Sequence, residues 1–182
     1  MLVADDDWNR VVESRNGDGN AFELLVRQHQ RMIYSLCYRM TGSMTEAEDL
    51  AQETFIQAHC NLGGFRAESR FSSWLYRIAL NLCLNWQKRK QRQDRLQQQW
   101  AEQAAESPGE DPGHGPRIQA ALLKLHPKQR AAIVLTVYEG LSHAEAAKAL
   151  NCAETTVSWR VFAARAKLKR LLKDLSGRRP SQ

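Results

Sequence analysis

Long apolar runs are missing from this 182-residue chain. No stretch approaches the ~18 consecutive apolar residues of a bilayer-crossing helix, so membrane insertion is not expected. The N-terminus, MLVADDDW, has neither the basic flank nor the apolar centre of a secretory signal, which predicts a cytoplasmic location. Cysteine is scarce: Cys37, Cys60, Cys83 and Cys152 are scattered, with no C-x-x-C pair. In a reducing compartment such cysteines are expected to act as small buried apolar residues. His59 beside Cys60 makes a poor metal pair, because adjacent helical residues point about 100° apart and no second pair has ligand spacing. No metal and no cofactor are expected. A glycine-rich phosphate loop, a nucleophile motif and a ligand cluster are absent too, which argues against a hydrolase or metalloenzyme. Strand signals are nearly absent: there is no sustained period-two alternation and no Asn-Gly hairpin between β-rich runs.

What the chain does have is helical periodicity. Phe22, Leu25, Val26, Ile33, Leu36 and Cys37 form a stripe at three- and four-residue spacing that ends near Thr41-Gly42. A second helix is predicted from Thr45, where Thr45-Glu-Ala-Glu48 has capping-box form, to about Cys60. Its inward residues are Ala47, Leu50, Ala51, Phe55 and Ala58, and Gly63-Gly64 breaks it. A third, from about Ser72, carries Trp74, Leu75, Ile78, Ala79, Leu82 and Trp86, then turns glutamine- and arginine-rich. Between Ala101 and Pro116 the composition changes to Pro, Gly and acids with hardly an apolar residue. Such a segment cannot offset its ordering entropy and is expected to be a tether. The fold class is therefore all-α, with two small helical domains: residues 1–95, a flexible acidic linker at 96–116, and residues 117–176. Ile118, Leu122 and Leu125 open the second, and Pro127 suits the first turn of a helix bearing Ile133, Val134 and Val137, with Gly140 as its stop.

The net charge of +6 is unevenly spread. From Arg160 to Arg179 eight basic residues face one acid, Asp174, and a second cluster runs through Lys88, Arg89, Lys90, Arg92 and Arg95. Two such runs, each beside aromatic residues, point to phosphate contact. The stretch SHAEAAKALNCAETTVSWRVFAARAKLKRLL, Ser142 to Leu172, reads as a helix-turn-helix. Ser142-His-Ala-Glu145 is a capping box, Ala146 and Ala147 permit close helix approach, and Asn151 suits a left-handed turn residue. Val157 is placed to plug the second helix onto the first. An ordinary helical hairpin with a solvated basic face is the competing account; the joint pattern favours DNA binding.

EAEDLAQETF (Glu46 to Phe55), FRAESRFSSWLYRIALN (Phe65 to Asn81) and LHPKQRAAIVL followed by EGLSHAEAAKAL (Leu125 to Leu150) together resemble bacterial sigma factors of the extracytoplasmic-function type, reduced to sigma region 2, a linker and sigma region 4. The resemblance covers about Ala21 to Lys90 and Ile118 to Leu172. It implies a promoter-specificity subunit, not an enzyme, that binds core RNA polymerase and promoter DNA. It also implies inhibition by an anti-sigma factor, and the free chain is expected to be monomeric. Asp49, Gln52 and Glu53 share one helix side, which by resemblance docks on basic clamp helices of the largest polymerase subunit. A loop mixing aromatics, arginines and short polar groups can receive an unstacked base. By resemblance, the loop and the helix after it capture the −10 strand, with Phe65, Arg66, Glu68, Ser69 and Arg70 on the loop and Tyr76, Arg77, Asn81 and Asn85 on the helix. Lys88, Arg89 and Lys90 would hold the duplex backbone just upstream. Phe71 and Trp74 are expected in the core.

The resemblance assigns a recognition helix from about Ala153 to the −35 element. Glu154, Thr155, Thr156, Ser158, Trp159, Arg160 and Phe162 form its reachable set, Val157 and Val161 its core side, and Arg165, Lys167 and Lys169 its phosphate contacts. Departures from the family pattern fall here. The family often has glycine at the position of Thr155, a basic residue at Ser158, serine at Trp159 and arginine at Ala163. This chain thus offers less cationic and more apolar surface to the groove, suited to a thymine methyl. A dimeric helix-turn-helix regulator would explain the second domain but leave EAEDLAQETF and the FRAESRF loop idle.

Overall fold

Helices account for all the regular structure among the described residues, 6–98 and 114–176, of the computed structural model. The first half comprises α1 (Asp6–Arg15), α2 (Gly19–Thr41), α3 (Met44–Cys60), a 3₁₀ turn (Leu62–Gly64) and α4 (Phe71–Gln98). The second comprises α5 (His114–Leu123), α6 (Pro127–Ile133) running on as a π-helical stretch (Val134–Tyr138), α7 (His143–Ala149) and α8 (Glu154–Ser176). The all-α expectation holds. Most of the expected linker lies outside the described residues. Both ends of the 96–116 range are helical: α4 continues to Gln98 and α5 starts at His114, where Pro116 sits in a first turn that needs no proline N–H.

Local chemistry explains the boundaries. Asp18 caps α2, its carboxylate accepting from Asn20 and Ala21 N–H groups. Gly42, at φ 75°, ends α2 in the left-handed conformation. Ser43 then has extended backbone and caps α3, accepting from Glu46 N–H. The cap is therefore Ser43 and not the predicted Thr45, because the chain re-enters helix directly after the glycine turn. In the second half Pro127 occupies the first turn of α6 and the Ser142–Glu145 capping box of α7 is complete. Asn151 does adopt the left-handed region, at φ 47°. Val137 departs from expectation and is 51 % exposed: the extra residue per turn of the π stretch rotates it off the apolar face.

The predicted inward residues Ala47, Leu50, Ala51, Phe55 and Ala58 are buried, as are Leu25, Ile33, Leu36 and Cys37. Cys83 is buried as well, and its thiol is pushed up by a hydrogen bond with Cys37 and by burial. Cys152 is half-buried and Cys60 is exposed, against expectation, because it falls past the inward stripe at the end of α3.

The two halves pack on one another, and their buried residues form one continuous core. Arg130 of α6 holds the seam. Its guanidinium donates to the carbonyls that end α5, Leu122 (2.8 Å) and Leu123 (2.6 Å), and to Met40 at the end of α2. Burial lowers its pKa to about 10, so it stays charged at neutral pH. Gln87 Nε2 on α4 also donates to Met40 O, at 2.7 Å, and Gln119 Nε2 on α5 donates to Tyr38 O, at 3.1 Å.

Candidate nucleic-acid interface

Residues 65–70 join the 3₁₀ turn to α4 and alternate strictly in exposure. Phe65 and Ala67 point inward, while Arg66, Glu68 and Arg70 point outward and Ser69 is half-exposed. Phe65 sits in an aromatic cluster, with ring centroids 5.4 Å from both Phe71 and Trp74 and 6.1 Å from Trp8. At 5 % exposure it offers no face to a base here; the aromatic in the loop is an anchor. Phe71 is buried as expected, and Trp74 is half-buried in the same cluster. Ala67 has φ 54°, an uncommon conformation for alanine, which throws its charged neighbours outward.

One side of α4 extends this surface. Arg77, Asn81, Asn85 and Lys88 recur at three- and four-residue spacing and are exposed, as are Arg89 and Lys90. Lys90 lies over Trp86, Nζ 5.1 Å from the ring centroid. Across from this face, the exposed Asp49 and Glu53 of α3 line a groove of about 860 Å³ with Asn85, Lys88, Arg89 and Arg92. Gln52 faces elsewhere, into an apolar-floored groove between α2 and α3 with Val26, Tyr34, Phe55 and Ile56. The three anionic-face candidates are all exposed, yet they serve two different grooves.

Tyr76 differs from the other α4 candidates. It is buried, and its hydroxyl donates to Glu139 Oε2 in the second half at 2.7 Å. Burial and that hydrogen bond hold its phenol far above the ordinary range. Arg39 approaches the same carboxylate at 4.0 Å and stacks over Tyr138 at 4.3 Å. Nearby, Glu68, Ser69, Arg70 and Arg77 share a groove with Glu145, Lys148 and Asn151 of the helix-turn-helix. The second half thus lies directly against the loop of residues 65–70.

On α8, Val157 and Val161 are buried against the rest of the second half. Glu154, Thr155, Ser158, Trp159, Phe162 and Arg165 are exposed, and Thr156, Arg160 and Lys167 half-exposed. Trp159 and Phe162, 64 % and 74 % exposed among the described residues, stand three residues apart on one face. Arg160 leans back on the turn, Nη1 3.5 Å from Cys152 Sγ, instead of projecting from the helix. The Ser158 hydroxyl is held by His143 Nδ1 at 2.9 Å and donates to Glu154 O at 3.1 Å. His143 had no sequence signal; fifteen residues away in the chain, it reaches Ser158 only because α7 crosses α8.

Known proteins match this arrangement in both halves. The sigma-70 region 2 family model matches residues 25–93 and the sigma-70 region 4 model residues 116–168. The ECF RNA polymerase sigma factor SigW of Bacillus subtilis (strain 168) is 36 % identical over 180 residues, covering 91 % of this chain and 96 % of its own. The ECF RNA polymerase sigma factor SigM of Mycobacterium tuberculosis (strain ATCC 25618 / H37Rv) is 35 % identical over 156 residues, covering 86 % and 79 %. Among solved structures, CnrH in complex with the cytosolic domain of CnrY superposes with a TM-score of 0.72 at 29 % identity, covering 93 % of this chain and 99 % of that one. RpoE from Bartonella quintana, solved with the anti-sigma factor NepR, gives 0.67 at 27 % identity, covering 84 % and 96 %. With both sigma regions matched in order and near-full-length relatives above 30 % identity, the chain belongs to the ECF RNA polymerase sigma factors.

Proposed function

We propose that this chain binds core RNA polymerase through α3 and directs it to promoters, with no catalytic chemistry of its own and in the cytoplasm. Asp49 and Glu53 are the anionic contacts, and Gln52 is a polar one that faces the neighbouring α2–α3 groove. The outward residues of the loop, Arg66, Glu68, Ser69 and Arg70, take the −10 strand with Arg77, Asn81 and Asn85. Lys88, Arg89 and Lys90 hold the adjoining phosphates. On α8 the exposed Glu154, Thr155, Trp159 and Phe162 read the −35 duplex, with Arg165 and Lys167 on phosphates. Phe65 serves by anchoring the loop. The observation that carries this reading is the set of exposed polar and cationic residues on the 65–70 loop and along one side of α4, from Arg66 to Lys90, joined in one chain to a capped helix-turn-helix.

Opening of the chain belongs to the mechanism. Promoter elements about 25 base pairs apart lie ~85 Å apart along straight B-DNA, at ~3.4 Å per base pair. The longest helix among the described residues, α4, has 28 residues and spans only ~42 Å. A loop and a helix-turn-helix that line one groove cannot meet both elements, so the halves part on promoter binding. An anti-sigma partner acts on the docked form, with an amphipathic helix laid in the α2–α3 groove of Val26, Tyr34, Phe55 and Ile56. Run-off transcription with purified core polymerase tests the reading, on genomic fragments that include the region upstream of this chain's own gene. A discrete transcript that depends on the added chain is expected. Failure of the chain to associate with core polymerase at any ionic strength refutes it.

A further inference from the structure

The N-terminal helix α1 lies outside the residues matched by the region 2 family model, which begins at 25, yet it is tied to the loop assigned here to the −10 strand. Arg15, at its last position, sends its guanidinium to the start of that loop. Nε and Nη2 donate to Leu62 O at 3.0 and 2.7 Å, and Nη2 also donates to Phe65 O. The same guanidinium lies 5.5 Å from the Trp8 ring centroid, and Trp8 in turn packs beside Phe65. Two further contacts fix α1 itself. Val11 is fully buried, and Asp7 Oδ2 pairs with His29 Nε2 of α2 at 3.0 Å, with both side chains at most 9 % exposed. His29 also packs near Phe71 at 5.6 Å, so α1, α2 and the aromatic cluster form one support under the loop.

We propose that Arg15 is a positioning residue for −10 strand capture: its planar fork spans the carbonyls of Leu62 and Phe65 and thereby sets where Arg66, Glu68 and Arg70 stand. The geometry has a clear cause. Phe65 must point inward and Arg66 outward, and the peptide between them is oriented by the acceptor at Phe65 O. A fork reaches two carbonyls at once; a lysine ammonium is a point donor on a flexible stem. Without the fork, the Phe65 carbonyl is part-buried without its partner, and the outward residues no longer share one orientation. The effect falls on strand capture and not on the anionic face of α3 or on α8, neither of which Arg15 touches.

The proposal rests on the reading of residues 65–70 as the −10 loop, and the test separates the two. Holoenzyme is assembled from core polymerase and the full chain carrying Arg15→Ala, Arg15→Lys or, as a packing control, Val11→Ala. Promoter opening is followed by permanganate reactivity of unpaired thymines, on the parent −10 element and on each of its single-base substitutions. Core affinity and −35 duplex affinity are measured alongside. Arg15→Ala is expected to slow opening about tenfold and to flatten the preference at one or two −10 positions, with both affinities within twofold of the parent. Arg15→Lys should recover part of the rate. Val11→Ala, compared at temperatures that equalise folded fraction, should keep the full base preference. Unchanged base preference in Arg15→Ala overturns the proposal, as does equal flattening by Val11→Ala. If the parent chain opens no promoter while binding core polymerase, the loop assignment itself fails, and the role of Arg15 with it.

Discussion

Replacing Glu139 by alanine should release the docked arrangement of the two halves, and the structure sets the size of the effect. Glu139 accepts from the buried Tyr76 hydroxyl at 2.7 Å and lies 4.0 Å from Arg39. A hydrogen bond to a charged group contributes ~1.5–3 kcal/mol, while a partly exposed ion pair at the outer distance limit adds ~0–1 kcal/mol. Taking ~2 kcal/mol for the pair together, the open-to-closed ratio should rise about 30-fold. Glu139→Gln, which keeps a neutral acceptor, should give a smaller rise. Glu139 is a useful probe because it is not among the residues assigned to DNA, so any gain in opening is not confounded by lost base contacts. Single-molecule Förster transfer measures the ratio directly, between a dye on the exposed Cys60 and one on a cysteine introduced at Lys169, in a chain carrying Cys152→Ser. The low-transfer population should grow in Glu139→Ala and again, relative to the parent, in Tyr76→Phe. Equal populations in parent and Glu139→Ala would show that the contact holds nothing closed and would refute the reasoning.

Reversing Asp49 and Glu53 to lysine should weaken core-polymerase binding at least tenfold and leave −35 duplex binding unchanged; equal loss of both in equilibrium titrations would contradict the division of labour between α3 and α8. Replacing the −35 thymines one at a time by deoxyuracil removes only a methyl, and burial of one such group contributes ~0.8 kcal/mol. One position should therefore lose about fourfold in affinity for the parent and nothing for Trp159→Ala or Phe162→Ala. Ser142→Ala should destabilise the second half by ~0.5–2 kcal/mol. The Ser142 hydrogen bonds hold the Glu145 carboxyl below its ordinary value of 4.5, so that stabilisation is present above pH 4.5 and is lost as pH falls through the lowered value. The gap between parent and variant in denaturant unfolding should therefore narrow from pH 7 to pH 3.

Local signals carried much of the architecture because they depend only on neighbours in the chain. The capping box at Ser142, the left-handed Asn151, the stop at Gly42 and the inward stripe from Ala47 to Ala58 each follow from backbone sterics or helical period. The errors came where a neighbouring element changed the local outcome: the glycine turn moved the α3 cap to Ser43, and the π stretch rotated Val137 outward. The exposed strip on α4 was legible for the same reason as the core, since the helical period that buries Leu75, Ala79 and Cys83 places Arg77, Asn81 and Asn85 on the other side.

What the chain's order of residues determined alone was the helical class, the helix-turn-helix and the charge on each face. Only the tertiary structure decided that Phe65 anchors a loop, that Tyr76 is covered by Glu139, and that Arg15 and His143 reach partners on other helices. The physical reason is that exposure and hydrogen-bond partnership are properties of pairs of surfaces. Arg15 and Phe65 are fifty residues apart, and no periodicity within either segment encodes their meeting.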